Sequence, residues 1–328
     1  MNTIQGSRVL VTGGAGFVGS TIIDHLLDAG AAEVRVFDNF IRGNSRNLQR
    51  AQEKKETVII KGDIRDAAVV DEAVAGTDYV VHQTALRITR CAEAPREAIE
   101  VLVDGTLNVL ESCVRHNVKK IVAASSASVY GNASYLPIDE GHPFNNRTLY
   151  GACKIANEQM LRAYFEMSQL PYVAFRYFNV YGPRMDIDGV YKEVLVRWMD
   201  AIDAGIRPKI FGDGSQAMDF VFVDDVARAN IAGLVSDVTD EVFNVGTGTQ
   251  TSLKSLCHLL LQITGSSLEP EYVEARKVSN VQSQRASVSK GETALNFEAQ
   301  VSLESGLREL LAWRQKVKEE YATTGASK

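Results

Sequence analysis

The chain is poor in the features that would staple it, anchor it or fasten it to a polyanion. Its four cysteines, Cys91, Cys113, Cys153 and Cys257, lie far apart and lack the Cys-x-x-Cys or Cys/His spacing of a zinc site. Reduced thiols and no metal are therefore expected. Lys and Arg number 35 against 41 Asp and Glu, a formal net charge of −6, and the basic residues are scattered rather than clustered. That excludes the concentrated basic surface of a nucleic-acid binder. No apolar run approaches the roughly 20 residues needed to cross a bilayer, and residues 1–8 hold no charged segment leading into an apolar one. A cytoplasmic protein with no membrane partner is expected. Internal repeats and low-complexity stretches are also missing. The five histidines are dispersed, and His82, at the end of an apolar run, is expected to be packed and hydrogen-bonded.

What is present is a regular alternation of short β-branched runs with longer amphipathic ones. With 328 residues and 45% hydrophobic content the chain can bury a large core. Val9-Leu10-Val11, Val34-Arg35-Val36-Phe37, Val58-Ile59-Ile60, Tyr79-Val80-Val81-His82, Ile121-Val122-Ala123-Ala124 and Tyr172-Val173-Ala174-Phe175 read as successive strands. Long helices are predicted over 94–116, from the spacing of Ile99, Val103, Leu107, Leu110 and Val114, and over 148–168. Alternating strands and helices of this kind imply an α/β fold whose parallel sheet is covered on both faces.

After Asn179 the chain becomes richer in Gly and Pro, with Gly182-Pro183, Gly205, Pro208, Gly212 and Gly214. The expected organisation is a Rossmann-like doubly wound domain over 1–180 and a smaller, discontinuous α/β substrate-binding lobe over 181–328. A strand-like Val242-Phe243-Asn244-Val245 implies that a segment of about 220–250 returns to the first domain.

The first βαβ unit carries a ligand signature. Thr12-Gly13-Gly14-Ala15-Gly16-Phe17-Val18-Gly19 follows a strand and opens a helix, and the next strand stops at Asp38. Glycines alone serve packing as readily as binding. In this order they let the backbone approach a pyrophosphate at a helix N-terminus, while a carboxylate at Asp38 can accept from a ribose hydroxyl. That carboxylate would repel a 2′-phosphate and so favours NAD over NADP.

Chemistry is concentrated between Ser125 and Lys154. Tyr150 and Lys154 stand at i and i+4 of a predicted helix, on one face. Such pairs are common on helix surfaces, but an adjacent ammonium favours phenolate and is expected to draw the phenol toward useful basicity. The hydroxyls of Ser125, Ser126 and Ser128 fall just past the carboxyl end of the fifth strand, where open parallel sheets bind ligands.

Together these motifs resemble the extended short-chain dehydrogenase/reductase superfamily, in its nucleotide-sugar epimerase and dehydratase branch. The resemblance runs from about Arg8 to Trp313. It includes Asp38-Asn39, Gly62-Asp63-Ile64, His82-Gln83-Thr84-Ala85, Ser126 with Tyr150-x-x-x-Lys154, the run from Arg176 through Asn179 to Arg184, and Asp219-Phe220-Val221-Phe222-Val223-Asp224-Asp225. It implies NAD held by Gly13, Gly16, Phe17, Val18, Asp38 and Asn39, with Asp63 and Ile64 beside the adenine and Thr84, Ala85 and Arg87 along the pyrophosphate and ribose. Tyr150 and Lys154 complete that set. The resemblance also implies catalysis by Ser126, Tyr150 and Lys154, a nucleotide-sugar substrate touching Ser126, Ser128 and Asn179, and a homodimer paired through the 94–116 and 148–168 helices.

Within the branch, Ala127 and Ser128 stand where dehydratases and decarboxylases carry an additional acid, and the Ser-Ala-Ser-Val-Tyr-Gly form looks like the 4-epimerases. The expectation is inversion at C4 through a transient 4-keto sugar. The alternatives are a 4-keto reductase, a dehydratase using Glu140 or His142, and, remotely, a noncatalytic NAD-binding regulator. Two departures fall in the second lobe. Met218 replaces the arginine that precedes Asp-Phe in the family, and Lys277-Val278-Ser279-Asn280 replaces Arg-x-Gly-Asp. Lys277, with Arg276 and Arg285 close by, is the candidate that compensates.

Overall fold

The computed structural model describes residues 3–187, 192–275 and 283–324. Six strands form in order along the first half: β1 (Arg8–Thr12), β2 (Glu33–Asp38), β3 (Thr57–Lys61), β4 (Tyr79–His82), β5 (Lys120–Ser126) and β6 (Tyr172–Tyr177). With a later strand, Glu241–Val245, they make a seven-stranded sheet in the order 241–245, β6, β5, β4, β1, β2, β3, and every pairing is parallel. The expected α/β doubly wound architecture is the one observed. Chain order reverses between β1 and β4, which opens a crevice beyond their carboxyl ends.

Side-chain alternation explains why the strands are apolar throughout. Val9 and Val11 face the helices Phe17–Asp28 and Val223–Val235 through Ile22, Ile23, Leu26, Val226 and Leu234. Leu10, between them, faces the opposite layer with Val80, Ile121, Val109, Leu110 and Leu161. Each fully buried side chain of this size contributes about 1.5–3 kcal/mol by leaving water, so both faces must be covered for the sheet to persist.

One predicted helix differs. Residues 94–116 are not continuous: Pro95–Ile99 and Gly105–Arg115 are joined by a wide π turn at Glu100–Asp104. The extra residue of that turn rotates the two halves relative to each other. Ile99, expected on the buried face, is 41% exposed, while Ala98, Leu102, Val109 and Cys113 face inward. At the junction, a Cβ on Gly105 would lie 2.6 Å from the Ile64 side chain. The second predicted helix forms as Leu149–Ser168, with the Thr148 hydroxyl accepting from the Gly151 amide at its start.

The second half builds a separate apolar cluster. Leu195, Trp198 and Met199 of the helix Val194–Asp203 meet Leu256 and Leu260 of Leu253–Ile263 and Leu307 and Leu310 of Leu303–Thr324. Short two-stranded pieces frame it, among them Asn179–Tyr181 beside Phe220–Phe222. An ion pair of Arg184 with Asp24 at 2.5 Å ties it back to the first helix, and His25 on that helix is hydrogen-bonded to Asp224 at 2.7 Å. All four cysteines are free and buried. Among the described residues, no helix is long and apolar enough to cross a membrane.

Candidate active site

The glycine turn sits in the crevice between β1 and β4. Gly13 has φ +66°, and a Cβ there would lie 2.9 Å from the backbone of Gln83 and Thr84, so only glycine lets the turn close on the loop after β4. Gly16 is the N-cap of the Phe17–Asp28 helix and supplies no side-chain cap. The first-turn amides at Phe17 and Val18 are thus left for an anion, which is what a pyrophosphate requires.

Asp38 ends β2 and is 8% exposed. Its Oδ2 accepts from the Ala15 amide at 3.0 Å and its Oδ1 from Phe40 at 2.9 Å, while burial raises its pKa against these bonds. Beside it, Asn39 Nδ2 donates to Asp63 Oδ2 at 3.3 Å, and Arg65 Nε and Nη2 grip the same carboxylate at 2.8 and 2.7 Å. The Arg65 hydrogen bonds hold Asp63 far below the usual carboxylate range. Ile64 is 3% exposed and packs in the core, which leaves its backbone rather than its side chain for a ligand. The next helix is capped by Asp66, not Asp63.

After β4, Thr84 and Ala85 line the loop that faces the glycine turn, and Arg87 pairs with Asp186 at 3.0 Å. His82 is buried as expected. Its Nδ1 lies 2.7 Å from the Thr12 hydroxyl and its Nε2 3.0 Å from the Thr106 hydroxyl, which itself donates to Leu102 O at 2.6 Å. Burial pushes the imidazole down to about 3, so it is neutral and serves as a strut between the turn and the helix behind it.

Three successive residues at the end of β5 are engaged by three successive turns of the Leu149–Ser168 helix. Lys154 Nζ donates to Ala124 O at 2.6 Å, Ser125 Oγ donates to Glu158 Oε1, and the Ser126 hydroxyl is near enough to the Tyr150 phenol to oppose the rise in its pKa. Ser126 also accepts from the Ser128 amide at 3.1 Å, and its Oγ lies 3.0 Å from Ser128 Oγ. Ser126, Ser128, Tyr150 and Lys154 are thereby brought together.

The electrostatics differ from the sequence expectation. Lys154 does not draw the phenol down. Its ammonium lies 5.9 Å from the Tyr150 ring centroid and bonds to the strand. Burial pushes Tyr150 up to about 12, with Ser126 opposing, and pushes Lys154 down to about 8, with Glu158 opposing. In a dry pocket, desolvation outweighs a neighbouring charge that is directed elsewhere.

In the second lobe, Asn179 Nδ2 donates to Asp219 O at 3.1 Å and to Gln284 Oε1 at 3.3 Å. Asp219 is fully buried, and its carboxylate gathers the amides of Thr247, Gly248 and Ala286 within 3.1 Å together with the Thr247 hydroxyl at 2.7 Å, so it staples loops. Met218 lies in a short strand and is half-buried. Lys277 and Arg276 lie outside the described residues. Arg285 is half-buried, and its Nε is shut off from solvent without a hydrogen-bond partner.

Glu140 and His142 are committed elsewhere. Glu140 Oε1 accepts from the Asn244 amide at 2.8 Å, and His142 Nε2 accepts from Ser134 N at 2.8 Å while its Nδ1 meets Pro143 O at 2.8 Å. Sequence reading overlooked Glu158 and Gln284. The first had a signal, since residues 150, 154 and 158 share one helical stripe; the second had none, because its contact with Asn179 joins positions distant in sequence.

Comparison with known proteins agrees with this arrangement. Residues 9–246 match the profile described as the NAD dependent epimerase/dehydratase family. A UDP-glucose 4-epimerase of Mycolicibacterium smegmatis is 34% identical over 303 residues, covering 92% of this chain and 96% of the relative. A UDP-N-acetyl-alpha-D-glucosaminuronate decarboxylase of Bacillus cytotoxicus is 32% identical over 322 residues, 94% of this chain and 98% of the relative. Among solved structures, the UDP-N-acetylglucosamine 4-epimerase of Methanobrevibacter ruminantium M1, in complex with UDP-N-acetylmuramic acid, superposes with a TM-score of 0.90 at 32% identity, covering 95% of this chain and 99% of that one. The chain belongs to the NAD dependent epimerase/dehydratase family, and its cofactor is NAD.

Proposed function

We propose that this protein inverts C4 of a nucleotide-activated sugar through a transient 4-keto intermediate. The observation that carries the reading is the Ser126–Tyr150 hydroxyl pair, set beside the buried Lys154 ammonium with no acid at position 127 or 128. NAD, when bound, would supply the hydride acceptor and donor for C4. Its site would be formed by Gly13, Gly16, Phe17, Val18, Asp38, Asn39, Asp63, Ile64, Thr84, Ala85 and Arg87, with Tyr150 and Lys154 at the reacting end.

Tyr150 removes the proton from the sugar 4-hydroxyl and later gives it back, while Ser126 donates to the oxygen on which charge develops. Lys154, whose ammonium is directed to Ala124 O and not to the phenol oxygen, is assigned to the cofactor ribose. Asn179 is assigned to the nucleotide diphosphate and Ser128 to the sugar. Elimination of water across C5 and C6 calls for a further acid/base group, and the hydrogen bonds that tie up Glu140 and His142 favour epimerisation over dehydration.

We further assign the pairing surface of a homodimer to the helices over 88–115 and Leu149–Ser168, which carry the exposed Ile88, Ile99 and Met167. The reaction is tested by incubating the purified protein with UDP-, GDP-, CDP- and dTDP-hexoses without added reductant and identifying products by NMR. Epimerisation predicts a mixture of C4 epimers from at least one donor. Water loss, or turnover only with added NADH or NADPH, would replace this reading with dehydration or reduction.

A further inference from the structure

Behind the reacting groups lies a buried ion pair that the proposed chemistry does not use. Glu158 is one turn beyond Lys154, and its side chain is 2% exposed. Arg176 Nε reaches its Oε1 at 2.9 Å and Nη2 its Oε2 at 2.6 Å, while Ser125 donates to Oε1. Ser125 and Arg176 are partners in the β5–β6 register, so adjacent strands deliver both donors to one carboxylate. The guanidinium is held from its far side as well. Nη1 donates to the Tyr130 hydroxyl at 2.9 Å and to Glu140 O at 3.0 Å, and the group stacks over the Tyr130 and Phe144 rings at 4.9 and 5.1 Å. Tyr130 in turn donates to Asn244 Oδ1 at 2.6 Å. Burying such a pair is costly and is weak evidence of a purely stabilising role.

We propose that Glu158 is a positioning residue that keeps Lys154 protonated in its dry pocket, with Arg176 and Ser125 fixing the carboxylate where it can do so. The proposal rests on the catalytic reading given above. Lys154 has little else to hold its charge. Ala124 O on β5 is its hydrogen-bond partner. The titratable groups facing it are Tyr150, Cys153 and Glu158 on its own helix, Cys91 on Ile88–Glu93 and the neutral His82 on β4. Of these, Glu158 is the carboxylate. Lys154 and Glu158 leave one helix a turn apart and are received by consecutive β5 residues, Ala124 and Ser125, and Glu158 opposes the lowering of the lysine by burial. The carboxylate is thus fixed one helical turn from Lys154, and the guanidinium lies over the Tyr130 and Phe144 rings.

The test follows the Lys154 side chain by NMR in full-length, NAD-saturated protein carrying ¹³C-lysine, with the resonance assigned through Lys154→Met. In Glu158→Gln, Lys154 should titrate about one pH unit or more lower than in the parent, and Glu158→Asp should restore most of the shift. In Arg176→Gln, which frees the carboxylate from its partner, Lys154 should titrate higher. Where substrate is turned over, the alkaline limb of kcat should move in the same direction as the NMR titration in each variant. General loosening of the pocket would move both charge variants the same way. An unchanged Lys154 titration, or shifts of one sign in both, overturns the proposal; should Glu158→Gln fail to fold, the sign of the Arg176→Gln shift decides alone. The titration reads out whether or not any nucleotide sugar reacts, so its failure is separable from failure of the catalytic reading.

Discussion

At Lys154 the needs of folding and of chemistry pull in opposite directions. The residue is 1% exposed and its pKa falls from the ordinary 10.5 to about 8, with burial as the largest cause. Because the folded state gives up this proton more readily than the unfolded chain, the cost of burying the charge is fully present below pH 8 and is relieved as pH rises toward 10.5. Lys154→Met should therefore stabilise the protein by about 1–3 kcal/mol near pH 7, with the gain shrinking through that window, while eliminating turnover. Thermal melts of both proteins across the pH range check it, and a pH-independent difference would contradict it. At Tyr150, removal of the hydroxyl deletes the proposed base without disturbing the turn that is assigned to the dinucleotide. Tyr150→Phe should lower kcat by at least about 100-fold with NAD still bound, measured by turnover and by cofactor content after denaturation. The stripe of 150 and 154 was legible because i, i+4 spacing is a local property. Their pKa directions were not, since the direction depends on how far the pocket excludes water and on where Nζ finds its partner.

Among the elements, the glycine turn is the most constrained. Gly13→Ala places a Cβ against the backbone of Gln83 and Thr84 at a positive φ. It should cost more than about 2 kcal/mol in stability, by denaturant titration, and weaken NAD binding in parallel. A variant with parental stability would show that the turn can relax away from β4. Asp38→Ala tests the end of the next strand, where weaker NAD affinity is expected and unaltered affinity would remove the ribose contact. The strands and the 148–168 helix could be read from sequence because periodicity, β-branching and the Thr148 cap agree locally. The break at Glu100–Asp104 could not. No proline or glycine pair marks it, and the reason for it lies across the fold, where Gly105 meets Ile64.

In the whole molecule, the point where strand order reverses sets the glycine turn opposite the Thr84 loop, and the end of β5 carries the hydroxyls beside them. That geometry followed from alternation of strands and helices, so the large sheet was largely foreseen. The second lobe was less legible. Its strands are two or three residues long and pair across wide gaps in sequence, as Ala217–Met218 does with Thr251–Ser252, and its charge contacts, such as Arg184 with Asp24, join distant segments. Sedimentation at working concentration should give a dimer through the 88–115 and Leu149–Ser168 helices, and Met167→Asp or Ile99→Asp should shift it toward monomer; a parent that sediments only as monomer would defeat this assignment. The central claim is reached most directly with an isotope. The nucleotide sugar that reacts fastest should be prepared with deuterium on C4 and converted in ordinary water without added cofactor. On this account, return of the same hydride to the opposite face gives a C4-inverted product that retains its deuterium at C4. Loss of that deuterium to solvent, or inversion at any other carbon, would contradict it.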